Sequence, residues 1–132
     1  MIRSIMLIDD EDDCNFVSRL VLGKAGYRGA IITHTSALEA LRELRSSGTF
    51  PDLMFVDINM PGMNGFDFLA HCENEGLLPN SNTSVVMFSS SNRPVDLERA
   101  RSYRSVMDYV EKALSVETFQ RITNMHLSRT GT

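Results

Sequence analysis

The segment Leu53-Met54-Phe55-Val56 carries no polar residue and ends in Asp57, after which the chain reads Ile58-Asn59-Met60-Pro61-Gly62. A strand that is apolar at every position is buried on both faces, as in a parallel sheet, so the first polar residue after it emerges at the strand's carboxyl end. In open α/β sheets that edge is where ligands bind. The pattern also occurs at the start of the chain, where Ile5-Met6-Leu7-Ile8 runs into Asp9-Asp10-Glu11-Asp12-Asp13. Two strand ends therefore carry acids towards one crevice.

Five apolar runs read as strands, at residues 5–8, 30–33, 53–56, 85–88 and 106–110. Amphipathic segments separate them. Phe16, Val17, Leu20 and Val21 recur at helical spacing, as do Leu38, Leu41 and Leu44, and then Phe66, Leu69 and Ala70, so each stripe is expected to cover one face of a sheet. Pro94 suits the first turn of a fourth helix through about Tyr103. Ser115 is placed as N-cap of a fifth, with Leu114 set to staple against Phe119 and with Val116, Phe119 and Ile122 towards the sheet. This (βα)5 alternation implies an α/β, doubly wound, flavodoxin-like fold: a five-stranded parallel sheet of order 2-1-3-4-5 with helices on both faces. Asp9, Asp10 and Asp57 should then converge at the switch point.

A chain of 132 residues fits one domain. Residues 1–127 read as that domain and 128–132 as a short frayed tail, with no effector domain. The formal charge of −4 and the absence of a basic run argue against direct nucleic-acid binding. No apolar stretch approaches a membrane span, and no leader pattern opens the chain, which points to a cytoplasmic protein. Cys14 and Cys72 lack metal or redox spacing and read as ordinary reduced thiols. His34, His71 and His126 fall on separate elements and read as surface or packing residues.

Three clustered carboxylates repel by about 1 kcal/mol per pair in water and about 4 kcal/mol at an effective dielectric near 20. A hard dication would relieve this, and all-oxygen ligation suits Mg²⁺, with Mn²⁺ as a substitute ion. Asp12 and Asp13 are better read as an acidic first turn complementing a helix dipole. A carboxylate beside Mg²⁺ is either a ligand only or a nucleophile that forms an acyl phosphate. A phospho-accepting Asp57 needs a cation and a hydroxyl near the incoming oxygens. The fourth strand run ends in Ser89-Ser90-Ser91 and the fifth in Glu111-Lys112, where Lys112 is the only lysine after Lys24.

With these residues together, the chain resembles the receiver domain of two-component response regulators over about residues 3–125. The resemblance rests on Asp9-Asp10, on the Asp57 to Gly65 segment with Pro61 and Gly65, on Ser89, and on Tyr109 three residues before Lys112. It implies that Asp57 accepts a phosphoryl group from a phosphohistidine of a sensor histidine kinase or histidine phosphotransfer protein. It also implies that Asp10 ligates Mg²⁺ directly, Asp9 partly through water and Asn59 through its backbone carbonyl, with Ser89 and Lys112 contacting the phosphoryl oxygens. Ser89 and Tyr109 would be the switch residues, acting on the face of helix 4, strand 5 and helix 5, and Asn59 and Ser91 would tune hydrolysis. A downstream protein target would read the changed face, and a phosphorylation-dependent homodimer stays open.

One departure is Ala113, where the family usually has a proline joined by a cis peptide. A non-proline cis bond costs about 2.5–4 kcal/mol, so the expectation is a trans bond or a strained cis one. Serine in place of the commoner threonine at position 89 keeps the hydroxyl and loses a methyl group.

The leading function is a single-domain switch that is not itself an enzyme, beyond assisting its own phosphorylation and dephosphorylation. A phosphorelay intermediate is an alternative. A haloacid-dehalogenase-type phosphatase would place a second Asp where Asn59 stands and its other metal acids late in the chain; here they come first. An unphosphorylated interaction module predicts loss of one of these residues, and all are present. An FMN-binding flavodoxin is excluded by five consecutive acids where its phosphate loop would be.

Overall fold

The computed structural model describes residues 1–131. Five strands alternate with five helices: β1 (Ser4–Ile8), α1 (Asp12–Lys24), β2 (Ala30–His34), α2 (Ala37–Ser47), β3 (Leu53–Val56), α3 (Gly65–Asn74), β4 (Ser84–Ser89), α4 (Pro94–Arg101), β5 (Val106–Glu111) and α5 (Val116–Thr130). The strands form one parallel sheet in the order β2-β1-β3-β4-β5. This is the topology expected from the alternation.

Because side chains alternate along a strand, the central strands feed two cores. Met6, Ile8, Met54, Val56, Val85 and Met87 pack against α2, α3 and α4. Ile5, Leu7, Leu53, Phe55, Val86 and Phe88 pack against Leu22 of α1 and Phe119 and Ile122 of α5. The helices thus lie on both faces, and the all-apolar runs are explained.

Caps fix where the helices start. Ser36 and Ser115 accept from the backbone N–H groups of Glu39 and Thr118, and Asn64 forms a reciprocal capping box with Asp67. Leu114 and Phe119 are buried in one cluster, as the staple requires. Pro94 opens α4 as predicted, but that helix stops at Arg101.

The α1 stripe is corrected. Phe16, Val17 and Leu20 are 61%, 45% and 52% exposed, and the helix instead buries Asn15, Ser18 and Leu22. The Asn15 side-chain amide donates to the Asp9 carbonyl at 3.0 Å beside the acid cleft, and Leu22, with Val21 and Ala25, packs into the core on the same side of the helix. In α2, Leu41 and Leu44 are buried with Ala37 and Ala40, whereas Leu38 is largely exposed. Residues 128–130 are also not a frayed tail. The helix continues to Thr130 because His126 and Arg129 both bond the buried Ser84 hydroxyl, and Gly131 closes it with a φ of +77°. Thr132 lies outside the described residues.

Candidate functional site

The cleft at the carboxyl edge is built by backbone pairing. The N–H of Asp9 donates to His34 O and that of Asp57 to Ile8 O, which holds both residues in register one step beyond β1 and β3. Asp9 and Asp57 are 3% and 4% exposed, with Asp10 half-buried beside them. One carboxylate oxygen from each of the three lies within 4.8 Å of the others. The predicted convergence is therefore observed.

Lys112 reaches the cleft from the end of β5. Its Nζ lies 2.5 Å from Asp9 Oδ2 and 3.4 Å from Asp57 Oδ1, and its N–H donates to Ser89 O at 2.9 Å. A register shift between β4 and β5 makes this alignment: Val85 pairs with Val106 but Val86 with Asp108, so Met107 is the extra residue and Glu111 comes opposite Ser89. The Lys112-Ala113 peptide is cis, the second of the two outcomes expected at that bond.

Burial sets the charge states. It pushes the Asp57 carboxyl up, the Lys112 charge pulls it down and Asp9 pushes it up again, leaving it at about 6. For Lys112, burial lowers the value, but the hydrogen bond to Asp9 and the Asp57 charge outweigh it and hold the ammonium above its ordinary range. The donor set fits a hard dication: it is all oxygen, and Lys112 is the one cation within salt-bridge distance of these carboxylates among the described residues.

A carboxyl raised from 3.8 to about 6 on folding binds its proton more tightly in the native state, so stability falls as pH rises between these values. The full shift is worth at most about 3 kcal/mol, and about 1–2 kcal/mol once the water at the cleft mouth is allowed for. In metal-free buffer, Asp57→Asn is expected to be more stable than wild type by about that amount at pH 7.5, with the difference vanishing near pH 4. Paired thermal melts with chelator decide this, and a mutant less stable at pH 7.5 would count against the clustered-carboxylate geometry.

Of the remaining predicted residues, Ser89, Ser91 and Tyr109 are linked to one another by hydrogen bonds. Ser89 is fully buried, and its Oγ accepts from the Ser91 N–H at 3.1 Å. Tyr109 is half-buried and donates its phenol to Ser91 O at 2.7 Å. Asn59 is exposed in the β3–α3 loop. The Ser91 hydroxyl is bonded to Asp96 of α4. Gly62 takes a φ of +74°, which suits the second central position of the turn read from Pro61-Gly62. Two groups escaped the sequence reading. Asn15 carries the Asp9 carbonyl, and Cys14 lies with its Sγ 3.9 Å from Lys112 Nζ. A polar residue four to six positions after a strand-end acid was the available signal. Cys14 and Cys72 are free thiols, His34 and His71 face Glu43 and Glu75, and His126 is packed in the interior.

A flavodoxin-like sheet with acids after β1 and β3, a hydroxyl at the end of β4 and a lysine after β5 defines a class of signalling domain. The chain belongs to the response regulator receiver domain family, whose model matches residues 5–124. It is 34% identical over 98 residues to the DNA-binding response regulator MtrA of Mycobacterium tuberculosis, an alignment covering 74% of this chain and 39% of MtrA. It is 30% identical over 119 residues to the two-component response regulator ARR14 of Arabidopsis thaliana, covering 89% of this chain and 29% of that protein. The crystal structure of a two component response regulator from Cytophaga hutchinsonii matches with a TM-score of 0.81 and 30% identity, over 96% of this chain and 98% of that one. This chain thus spans two fifths or less of the curated relatives it matches. Receiver domains are signalling domains and generally bind Mg²⁺ at an acidic pocket.

Proposed function

We propose that the chain is a phosphorylatable switch in which Asp57 accepts a phosphoryl group from a phosphohistidine of a sensor histidine kinase or histidine phosphotransfer protein. The observation that carries this reading is the Asp57 carboxylate held between two other acids and the Lys112 ammonium at one sheet edge. One relative is itself a sensor histidine kinase, CheAY of Helicobacter pylori, at 25% identity over 96% of this chain and 15% of that protein. The N–P bond of the donor breaks as an Asp57 Oδ–P bond forms, and the proton that neutralises the leaving imidazole comes from solvent.

Asp9, Asp10, Asp57 and the Asn59 carbonyl would hold Mg²⁺, which supplies charge neutralisation for the phosphoryl oxygens. The Lys112 ammonium, freed from Asp9 as charge builds on the phosphoryl group, contacts one oxygen and the Ser89 hydroxyl another. Asp57 attacks as the carboxylate, so the cation that discharges the cluster also keeps it ionised. The added charge of about −1.5 to −2 then biases the arrangement of Ser89 and Tyr109, and with it the α4, β5 and α5 face that a downstream protein or a second copy would read. Asn59 and Ser91 set the hydrolysis rate. Among the described residues no helix is long and apolar enough to cross a membrane, and a cytoplasmic setting with no nucleic-acid contact fits this reading. Passage of the phosphoryl group onward along a relay uses the same chemistry.

Intact mass after incubation with Mg²⁺ and acetyl phosphate or phosphoramidate tests the proposal. The expected result is a metal-dependent gain of one phosphoryl group that Asp57→Asn abolishes. No gain with either donor, and no acyl phosphate trapped by acid quench, would favour an unphosphorylated interaction module. Mg²⁺ at about its dissociation constant should stabilise the fold by only ~0.4 kcal/mol, which melts with metal at that concentration against chelator can check.

A further inference from the structure

Ser91 has every polar group engaged. Its N–H donates to Ser89 Oγ at 3.1 Å, and its carbonyl accepts the Tyr109 phenol at 2.7 Å. Its hydroxyl donates to Asp96 Oδ2 at 2.7 Å and accepts from the Arg93 N–H at 3.3 Å. The two residues assigned to switching therefore bond opposite sides of one residue, and the side chain of that residue is anchored elsewhere, in the first turn of α4.

Asp96 is held from several sides. Asp96 is 8% exposed, follows the Pro94 that opens α4, and also takes the Arg93 guanidinium at 3.2 Å. The hydrogen bond from the Ser91 hydroxyl holds its carboxyl below the usual range against the opposing effect of burial, with Arg93 adding to the pull. A hydrogen bond to an ionised acceptor is about twice as strong as a neutral one.

We infer that Asp96 is a positioning residue that acts through the Ser91 side chain to set the arrangement of Ser89 and Tyr109 together. Movement of the Ser89 hydroxyl towards a group on Asp57 must either draw the Ser91 N–H along or release it, and drawing it along moves the carbonyl that holds Tyr109. The Asp96 bond resists that motion, so it weights the equilibrium between the resting and the switched arrangement. This rests on the proposed function for the roles of Ser89 and Tyr109. It adds a residue and a coupling that the phosphoryl chemistry alone does not require.

The test uses the full chain labelled with fluorotyrosine, with the Tyr109 resonance assigned by Tyr109→Phe against Tyr27 and Tyr103. Asp96→Ala and Ser91→Ala should each shift the Tyr109 resonance in the same direction, and the double variant should shift it no further than either. Losing one charge-assisted bond corresponds to roughly a tenfold change in the ratio of the two arrangements. Asp96→Asn keeps an acceptor oxygen without the charge and should restore about half of the wild-type position. A helix cap with no link to the switch would alter the melting temperature while leaving Tyr109 in place, and that result overturns the inference. Additive shifts in the double variant overturn it too. The fluorine readout needs no phosphorylation, so failure of Asp57 to gain mass would sink the phosphoacceptor reading separately.

Discussion

Lys112→Met should cost the metal-free protein about 2–4 kcal/mol at pH 7.5, because it removes the cation from two buried carboxylates and leaves their charge uncompensated. Methionine keeps an aliphatic stem of similar length, so the loss is largely electrostatic, including the Lys112 Nζ contact 5.5 Å from the centre of the Phe88 ring. In wild type the Lys112 ammonium meets Asp9 at 2.5 Å and Asp57 at 3.4 Å, with side chains 4% and 6% exposed. Without it, the carboxyl already raised to about 6 moves higher still and takes up a proton more readily. The penalty should therefore be largest above neutral pH and shrink as pH falls towards 5. Two rescues separate this cause from general damage. Asp57→Asn in the same background removes one of the unpaired charges, and saturating Mg²⁺ neutralises the cluster; each should recover more than half of the loss. A pH-independent penalty that neither rescues would show that Lys112 contributes packing and not charge. The same variant should lose most of its phosphoryl uptake from a small donor, since the contact with one phosphoryl oxygen goes with the ammonium.

The parts of this molecule legible in the sequence are those fixed by burial on both sides. Runs such as 53–56 have no polar alternative, so strand, parallel pairing and the position of the terminal acid follow together, and the same holds for Asp9 after β1. The face of α1 was not legible. Phe16, Val17 and Leu20 form a regular stripe, yet the helix turns inward the face of Asn15, Ser18 and Leu22, on which Asn15 satisfies the Asp9 carbonyl and Leu22 enters the core. Val21, the fourth member of the stripe, does pack on the core beside Leu22 and Ala25. The β4–β5 register shift at Met107 was equally hidden, since nothing local marks it, although it decides which residue of β5 faces Ser89. Helix α5 outlasts its expected end for the same kind of reason. His126 and Arg129 find a hydroxyl 42 and 45 residues away in sequence, at Ser84, and a chain read locally gives no sign of that partner. The Asp96 carboxylate, too, reads as an ordinary acid in a first turn until Ser91 is seen against it.

Gly65→Ala should be the most damaging single-methyl change near the site. A Cβ built on Gly65 falls well inside contact distance of the Asp57 carbonyl oxygen, and lies 3.0 Å from the Asp57 carbonyl carbon and 3.1 Å from the Ile58 Cα. All three are backbone atoms, so no rotamer change relieves the overlap. Either the start of α3 moves, against the Asn64–Asp67 capping box and the buried Phe66, or the Asp57 peptide moves. Overpacking of this kind costs typically about 1–3 kcal/mol and occasionally more. The functional loss should exceed what stability alone predicts. Displacing a reacting carboxylate by about 1 Å can cost on the order of 100-fold in rate, and from the other side Asp57 is held by its backbone bond to Ile8 O. Variants that remain folded by circular dichroism should therefore phosphorylate on the order of 100-fold more slowly. A folded Gly65→Ala that takes up phosphate at the wild-type rate would mean that α3 yields in place of the β3 end, and that the close approach at Gly65 serves helix packing and not the placement of Asp57.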